Sequence, residues 1–315
     1  MPRRPYALLS NVASILVLLL IAGLAYLWAD GLIASLNAYR SPIGETLPAG
    51  KALAPLTERL VLVIVDGLRL DAADDMPFLM ELAGRGSRAT VTLDPPSYSE
   101  TTWTTLVTGA SPQLSGAPAF NEEYATMRVI EADQLCAAAT DAGRTTAVSG
   151  YYWWEKMIPA AQRRFGFFEP GEDAAADERI AAATLDWLGS ATPPDFLIVH
   201  LNQVDIIGEE YGARSLEYRA AARRVDEHLR AIAGRLDLTR HTLIVVADHG
   251  QVDPGGHGGN EPAVVRTRLV AAGRGIRAGQ VADLRQADVA PTSAALLGTR
   301  IPGRAEGQFA DALLA

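Results

Sequence analysis

Three short apolar runs settle most of what this chain can fold into. Leu60–Val65, Phe196–Leu201 and Leu243–Val246 are made of aliphatic and β-branched side chains, broken only by Phe196 and His200. Such a run reads as a strand covered on both faces, because a half-exposed strand would alternate with polar residues. Further strands are expected at Arg88–Leu93, Thr145–Ser149 and Arg268–Ala271. Helical spacing appears in Met76–Ala83, Ser99–Gly109, Ala132–Ala142, Ala174–Leu188 and Ser215–Leu236, with a last helix starting near Asp288. Strands alternating with helices predict an α/β fold, a mostly parallel central sheet with helices on both faces. In such sheets ligands collect beyond the carboxyl ends of strands. Asp66, Ser99, Asp205, Asp248 and His249 all fall at or just after such ends.

The amino-terminal segment is of another kind. Pro5 to Ala29 carries no charge, and Ile15 to Ile21 is unbroken aliphatic. At ~1.5 Å per residue, Tyr6–Trp28 is long enough to cross a bilayer core of roughly 30 Å. Arg3 and Arg4 precede it and Asp30 follows, so the positive-inside rule puts the terminus in the cytoplasm and the rest in the periplasm or outside the cell. A cleaved signal peptide is the competing reading, although the apolar run exceeds a typical signal core. Residues 1–30 are therefore expected to be a transmembrane anchor. Residues 31–58, interrupted by Pro42, Pro48 and Pro55, are expected to be a linker, and 59–315 a catalytic domain.

The net charge of −9 excludes a nucleic-acid backbone as the default partner. The single cysteine, Cys136, excludes an intrachain disulfide and any cysteine-rich metal site.

The strand ending at Val246 delivers Ala247-Asp248-His249-Gly250, then Gln251-Val252-Asp253-Pro254-Gly255-Gly256-His257-Gly258-Gly259. Carboxylate and imidazole are ligands for zinc or a similar divalent ion, and glycines let a loop close around a small object. After Leu201 come Asn202, Asp205, Glu209 and Glu210. Ser99 sits where a helix starts, so it can cap that helix, meet an anion there, or do both. His200 reads as a hydrogen-bonded core residue; His228 and His241 read as surface or helix-end histidines.

Ile64-Val65-Asp66-Gly67, the Pro96–Gly109 segment ending Leu106-Val107-Thr108-Gly109, and Ala247-Asp248-His249-Gly250 resemble the alkaline phosphatase superfamily. The likeness is to its type I phosphodiesterase and nucleotide pyrophosphatase branch. Asp205-x-x-Gly208, Tyr211-Gly212, Asp288-Val289-Ala290-Pro291-Thr292 and Glu306-Gly307 extend the match, in the family's order, from about residue 60 to about 308.

The resemblance implies two divalent ions, usually zinc. Asp66, Asp248, His249 and the hydroxyl of a nucleophilic Ser99 would hold one, with Ser97 as runner-up nucleophile. Asp205, Glu209 and His257 would hold the other. Glu209 stands where the family has histidine, which opens that site to manganese, calcium or magnesium. Thr102 takes the place at which the family is expected to carry an asparagine touching a phosphate oxygen. Tyr98, Trp153 and Trp154 are candidates for a substrate-pocket wall, with plain packing as the alternative for the tryptophans.

The implied activity is metal-dependent phosphodiester or phosphate-ester hydrolysis through a phosphoseryl intermediate on a nucleotide, lipid headgroup or glycan phosphate. A phosphoethanolamine- or phosphoglycerol-type transferase is the alternative, and a non-catalytic metal-binding protein with a degenerate second site comes third. A sulfatase is disfavoured, because no Cys-x-Pro-x-Arg or Ser-x-Pro-x-Arg is present.

Overall fold

The computed structural model describes residues 4–41, 54–280 and 283–315. It divides into a helical unit up to Tyr39 and a folded unit from Arg40 onward. The first is one α-helix, Arg4–Asn37, whose stretch from Leu9 is long and apolar enough to cross a membrane. Its leucines, isoleucines and valines are exposed all round. Residues 31–37, expected in the linker, continue the helix, because Leu32, Ala34 and Leu36 favour it and no proline or glycine follows until Pro42. The linker positions 42–53, with Pro42 and Pro48, lie outside the described residues.

The second unit is built on a sheet of β1 (Arg59–Val65), β2 (Ser87–Thr92), β3 (Thr146–Tyr151), β4 (Phe165–Glu169), β5 (Phe196–Leu201), β6 (His241–Ala247), β7 (Arg266–Gly273) and the short β8 (Gly279–Gln280) and β9 (Leu284–Arg285). The order is β4-β3-β5-β1-β6-β7-β2-β8, with β9 also on β2. Pairing is parallel except around β7, which runs antiparallel to β6 and β2. This is the expected α/β fold, a mostly parallel central sheet with helices on both faces. Strand β4, not among the strands expected from the sequence, forms the edge beyond β3.

Alternation along β1 explains the two covered faces. Val61, Val63 and Val65 face one core with the helices Pro77–Arg85, Ala176–Leu188 and Leu216–Ala233. Leu60, Leu62 and Ile64 face another with Ser99–Thr108, Leu135–Asp141 and Val289–Leu297. All six side chains are fully buried, each stabilising the fold by roughly 1.5–3 kcal/mol.

Register then builds the site. Val65 lies beside Leu201 of β5 and Ala247 of β6, so the three central strands end level. The next residues, Asp66, Asn202 and Asp248, leave the sheet side by side. Chain exit from β6 is through the glycine-rich loop and a short turn of helix, Pro262–Val265, before β7 returns antiparallel. That return keeps the whole loop at the same end of the sheet.

Candidate metal centre

Four polar atoms converge just beyond the ends of β1 and β6. His249 Nε2 lies 3.2 Å from Asp66 Oδ1, 3.5 Å from Asp248 Oδ2 and 3.2 Å from Ser99 Oγ. All four residues are buried. The other ring nitrogen of His249, Nδ1, is 3.1 Å from the carbonyl of Gly250, so it carries the proton and donates it there. Nε2 is thereby the ring nitrogen that faces carboxylate and hydroxyl oxygens, the arrangement expected of a metal-ligating histidine.

Each carboxylate has its own support. His200 Nδ1 accepts from the N–H of Tyr151 at 3.4 Å, which puts its proton on Nε2, 3.0 Å from Asp66 Oδ2. Asp248 accepts from Trp103 Nε1 at 2.8 Å through Oδ2, and from the N–H groups of Gly67 and His249 at 3.1 and 2.7 Å through Oδ1. Asp66 Oδ1 is buried with no hydrogen-bond donor.

The electrostatics point the same way. Burial, then the charge of Asp66, raises Asp248 well above the carboxylate range, and the same two causes raise Asp205. For His249, burial opposes the charged form but Asp248 and Asp66 outweigh it and raise its pKa. Burial also opposes ionisation of Asp66, yet the two histidines beside it, His200 and His249, hold it low. Three crowded carboxylates that draw a proton onto a histidine form a site short of positive charge. Asp66, Asp248 and His249 fit one divalent ion.

Asp205, His249 and His257 form a second such group. His257 gives its Nδ1 proton to the carbonyl of Ser97 at 2.8 Å, leaving Nε2 toward Glu209 Oε1 at 3.4 Å and Asp205 Oδ1 at 3.9 Å. The rings of His249 and His257 stack at 3.9 Å, so the two groups adjoin. Gln251 Nε2 donates to Asp205 Oδ1 at 2.6 Å. Asp205 sits in the helix Gln203–Tyr211, whose first N–H, that of Gln203, is held together with that of Asn202 by buried Asp177. Glu209 differs from its neighbours: its side chain is 54% exposed, against 5% for His257. Asp253, in the same glycine-rich loop, is committed to Arg69 and Arg214.

Two glycines are required here. Gly67 has φ +65°, and a Cβ on it would meet Asp205 Oδ1 at 2.4 Å; Gly258 has φ +107°, and a Cβ would meet the Tyr98 ring at 2.5 Å.

The serines separate cleanly. Ser97 donates to the carbonyl of Gly259 at 2.8 Å and accepts from the N–H of Gly258 at 2.9 Å, so its hydroxyl locks the glycine loop. Tyr98, not Ser99, is the N-cap of the helix Ser99–Thr108, which ends at Gly109 in the left-handed region. Freed from capping, the Ser99 hydroxyl faces His249 from the first helical turn. Thr102 turns its hydroxyl back to the carbonyls of Tyr98 and Ser99 at 3.1 and 3.0 Å, with Asp248 Oδ2 at 3.4 Å. That is the usual back-bond of a helical threonine.

A cavity of about 200 Å³ opens beside this centre. Asp66, Ser99, Asp205, Glu209 and His257 line it, as do Trp103, Asn121, Tyr151, Trp153, Glu172 and Asn202. Trp153 is thus in the wall. Trp154 lies buried behind it, stacked on Trp103 at 5.0 Å, and Tyr98 packs against His257 outside the wall. Asn121 had no local sequence signal. Its Oδ1 accepts from the N–H of Glu100 at 3.1 Å, while Glu100 Oε2 accepts from the N–H of Glu122 at 2.8 Å, pinning that loop to the serine's helix. Trp103, His200 and Gln251 were likewise not read as site residues, although Trp103 is one helical turn from Ser99.

A family model described as type I phosphodiesterase / nucleotide pyrophosphatase matches residues 60–255. GPI ethanolamine phosphate transferase 2 of Eremothecium gossypii is 26% identical over 297 residues, covering 82% of this chain and 36% of the relative. GPI ethanolamine phosphate transferase 1 of Mus musculus is 24% identical over 320 residues, covering 84% of this chain and 34% of the relative. The chain thus spans about a third of the length of these relatives. Among solved structures, murine ectonucleotide pyrophosphatase / phosphodiesterase 5 superposes with a TM-score of 0.63 at 13% identity, over 77% of this chain and 96% of that one. A 2-O GAG sulfatase superposes with a TM-score of 0.63 at 14% identity, over 80% and 73%. These structural likenesses speak to the fold.

Proposed function

The chain belongs to the type I phosphodiesterase / nucleotide pyrophosphatase family, and from that premise we propose that it transfers a phosphoethanolamine-type group from a phosphodiester donor to an alcohol. Ser99 is the nucleophile of this reading. The observation that carries it is the meeting of Ser99 Oγ with His249, Asp66 and Asp248 at the first turn of a helix. The ethanolamine phosphate transferases among its relatives favour transfer over hydrolysis. Hydrolysis, the activity the family is named for, is the same chemistry with water as acceptor.

Asp66, Asp248, His249 and Ser99 would hold one divalent ion, and Asp205, His257 and Glu209 the other. The aspartate and histidine donors suit zinc, and Glu209 admits a harder ion. Such ions, when bound, lower the pKa of a hydroxyl and offset phosphoryl charge.

The residues of the chain supply the rest. Ser99 Oγ loses its proton and bonds to phosphorus as the ester bond to the donor's alcohol breaks, and that alcohol takes up a proton. The acceptor alcohol then gives up its proton and bonds to phosphorus, and Ser99 departs and regains one. The N–H groups of the helix's first turn other than that of Glu100, which Asn121 accepts, favour the phosphoryl oxygens. Asn121, with its Oδ1 spent on Glu100, keeps two amide donors for the same oxygens. Trp103, His200 and Gln251 hold the three aspartates in place. In this reading the helix Arg4–Asn37 anchors the enzyme and places its catalytic unit outside the cytoplasm.

The test uses a diester donor labelled in its ethanolamine, given to the full-length, zinc-loaded protein in detergent. Label should appear on Ser99, and turnover should depend on an added acceptor alcohol. Turnover equally fast in water alone makes the enzyme a hydrolase; label retained in Ser99→Ala moves the nucleophile elsewhere.

A further inference from the structure

Part of the cavity lining has a composition that the phosphoryl chemistry leaves unused. Tyr151 and Trp153 present aromatic surface, with ring centroids 5.4 Å apart. Glu172 stands beside them and accepts a hydrogen bond from the Tyr151 hydroxyl through Oε1. No cation neutralises it among the described residues, since the nearby Arg179 is committed to Glu169 and Asp173. Two buried amide oxygens, Asn202 Oδ1 and Gln203 Oε1, have no donor, and Asn202 lines the cavity at 4% exposure. Gln203 also ties this corner together, donating through Nε2 to the backbone carbonyl of Glu172 at 3.2 Å.

An unsatisfied buried acceptor is costly, so it is kept where something donates to it. A carboxylate, neutral acceptors and aromatic faces together describe a receptor for an organic cation that bears N–H groups. Glu172 supplies charge, the rings supply cation–π attraction, and Asn202 supplies a direction.

We propose that Glu172, Asn202, Tyr151 and Trp153 form a subsite for the primary ammonium of a 2-ammonioethyl phosphate ester whose phosphoryl group lies at Ser99. This rests on the reading of Ser99 as the phosphoryl site and names the residues that select the group transferred. An aminoethyl ester has a two-carbon arm, so anion and cation must be recognised within one small cavity, as they are here. A nucleotide would put a neutral base against Glu172 and leave that charge unanswered. The amide oxygen also separates primary from quaternary amines, because only the former can donate to it.

The experiment is calorimetric binding to the zinc-loaded, full-length protein in detergent, which reads recognition without needing turnover. O-phosphoethanolamine should bind at least ~10-fold tighter than propyl phosphate, which has the same length without the charge, and also tighter than phosphocholine. Glu172→Gln should reduce the first ratio to within about 2-fold, and Asn202→Leu should reduce the preference over phosphocholine. Equal binding of phosphoethanolamine and propyl phosphate, or a ratio unmoved by Glu172→Gln, would overturn the assignment. Phosphocholine binding as tightly would overturn the primary-amine part. Displacement of phosphoethanolamine by phosphatidylethanolamine in mixed micelles supports a lipid headgroup, and displacement by glycerophosphoethanolamine alone supports a soluble ester. Displacement by neither contradicts the subsite. Failure of the underlying reading looks different: ammonium selectivity would persist while the labelled donor left no label on Ser99.

Discussion

The two candidate ion pockets share a wall, the stacked rings of His249 and His257, yet they are built to different standards. In the pocket of Asp66, Asp248 and His249 every side chain is sealed from solvent, and both carboxylates receive donors from the core. In its neighbour, Asp205 and His257 are held by Gln251 and the Ser97 carbonyl, but Glu209, the further ligand we propose, projects into solvent. Rigid, prearranged ligands bind an ion with little reorganisation, and an exposed acid must be ordered first. The first pocket should therefore bind tightly and select zinc; the second should exchange faster and accept harder ions.

Breaking the sealed pocket gives the largest effect. Asp248→Asn should cost about one ion per chain by elemental analysis and lower turnover of a diester by roughly 10²-fold or more. Full metal content in that variant would show that the pockets do not differ as described. Next comes the support beneath the ligands. Trp103→Phe keeps the stacking surface but removes the indole donor to Asp248. It should weaken zinc binding about 10–100-fold, read by competition with a chelator, with the other ion unaffected.

Glu209→His acts on the open pocket and should be gentler. It should shift activation from manganese toward zinc by a few-fold. Unchanged metal preference would remove residue 209 from the ligand set.

The smallest effect comes from a buried acid outside both pockets. Glu100 is pushed up to about 8 by burial, which outweighs the N–H of Glu122 that it accepts. Its folded-state pKa exceeds its ordinary value of 4.5, so the fold binds a proton that the unfolded chain releases. Stability is therefore lost as pH rises from 4.5 to about 8 and stays lost above. Glu100→Gln should match the parent below about pH 4 and melt higher above pH 8. Equal melting temperatures at both pH values would mean that Glu100 is not desolvated.

How much of this was legible in the sequence follows from what each feature depends on. The central strands were readable because burial on both faces leaves continuous apolar runs, as in Leu60–Val65. Asp66, Asp248 and His249 were readable because they follow those runs directly, and the residues that begin a loop at a strand's carboxyl end are fixed by register. His200 could be placed in the core but not paired, since its partner, Asp66, is 134 positions away. Asn121 was invisible for the same reason: a loop residue reaches the cavity only through a bond to Glu100. Of the two roles that the start of a helix offered Ser99, the cap is taken by Tyr98, which leaves the Ser99 hydroxyl available. Strand β4 was missed because Phe165–Glu169 is a short edge strand carrying a glycine, without the length or apolar continuity of the central ones.

The central claim is that carboxylates and imidazoles from separate strand ends gather around the Ser99 hydroxyl to hold cations. Anomalous scattering at the zinc edge from crystals of the zinc-loaded protein tests it most directly. The account predicts one strong peak about 2.0–2.2 Å from Asp66, Asp248 and His249 Nε2, adjoining Ser99 Oγ, and a second, weaker peak between Asp205 and His257. Zinc found elsewhere, with nothing between Asp66 and His249, would contradict it.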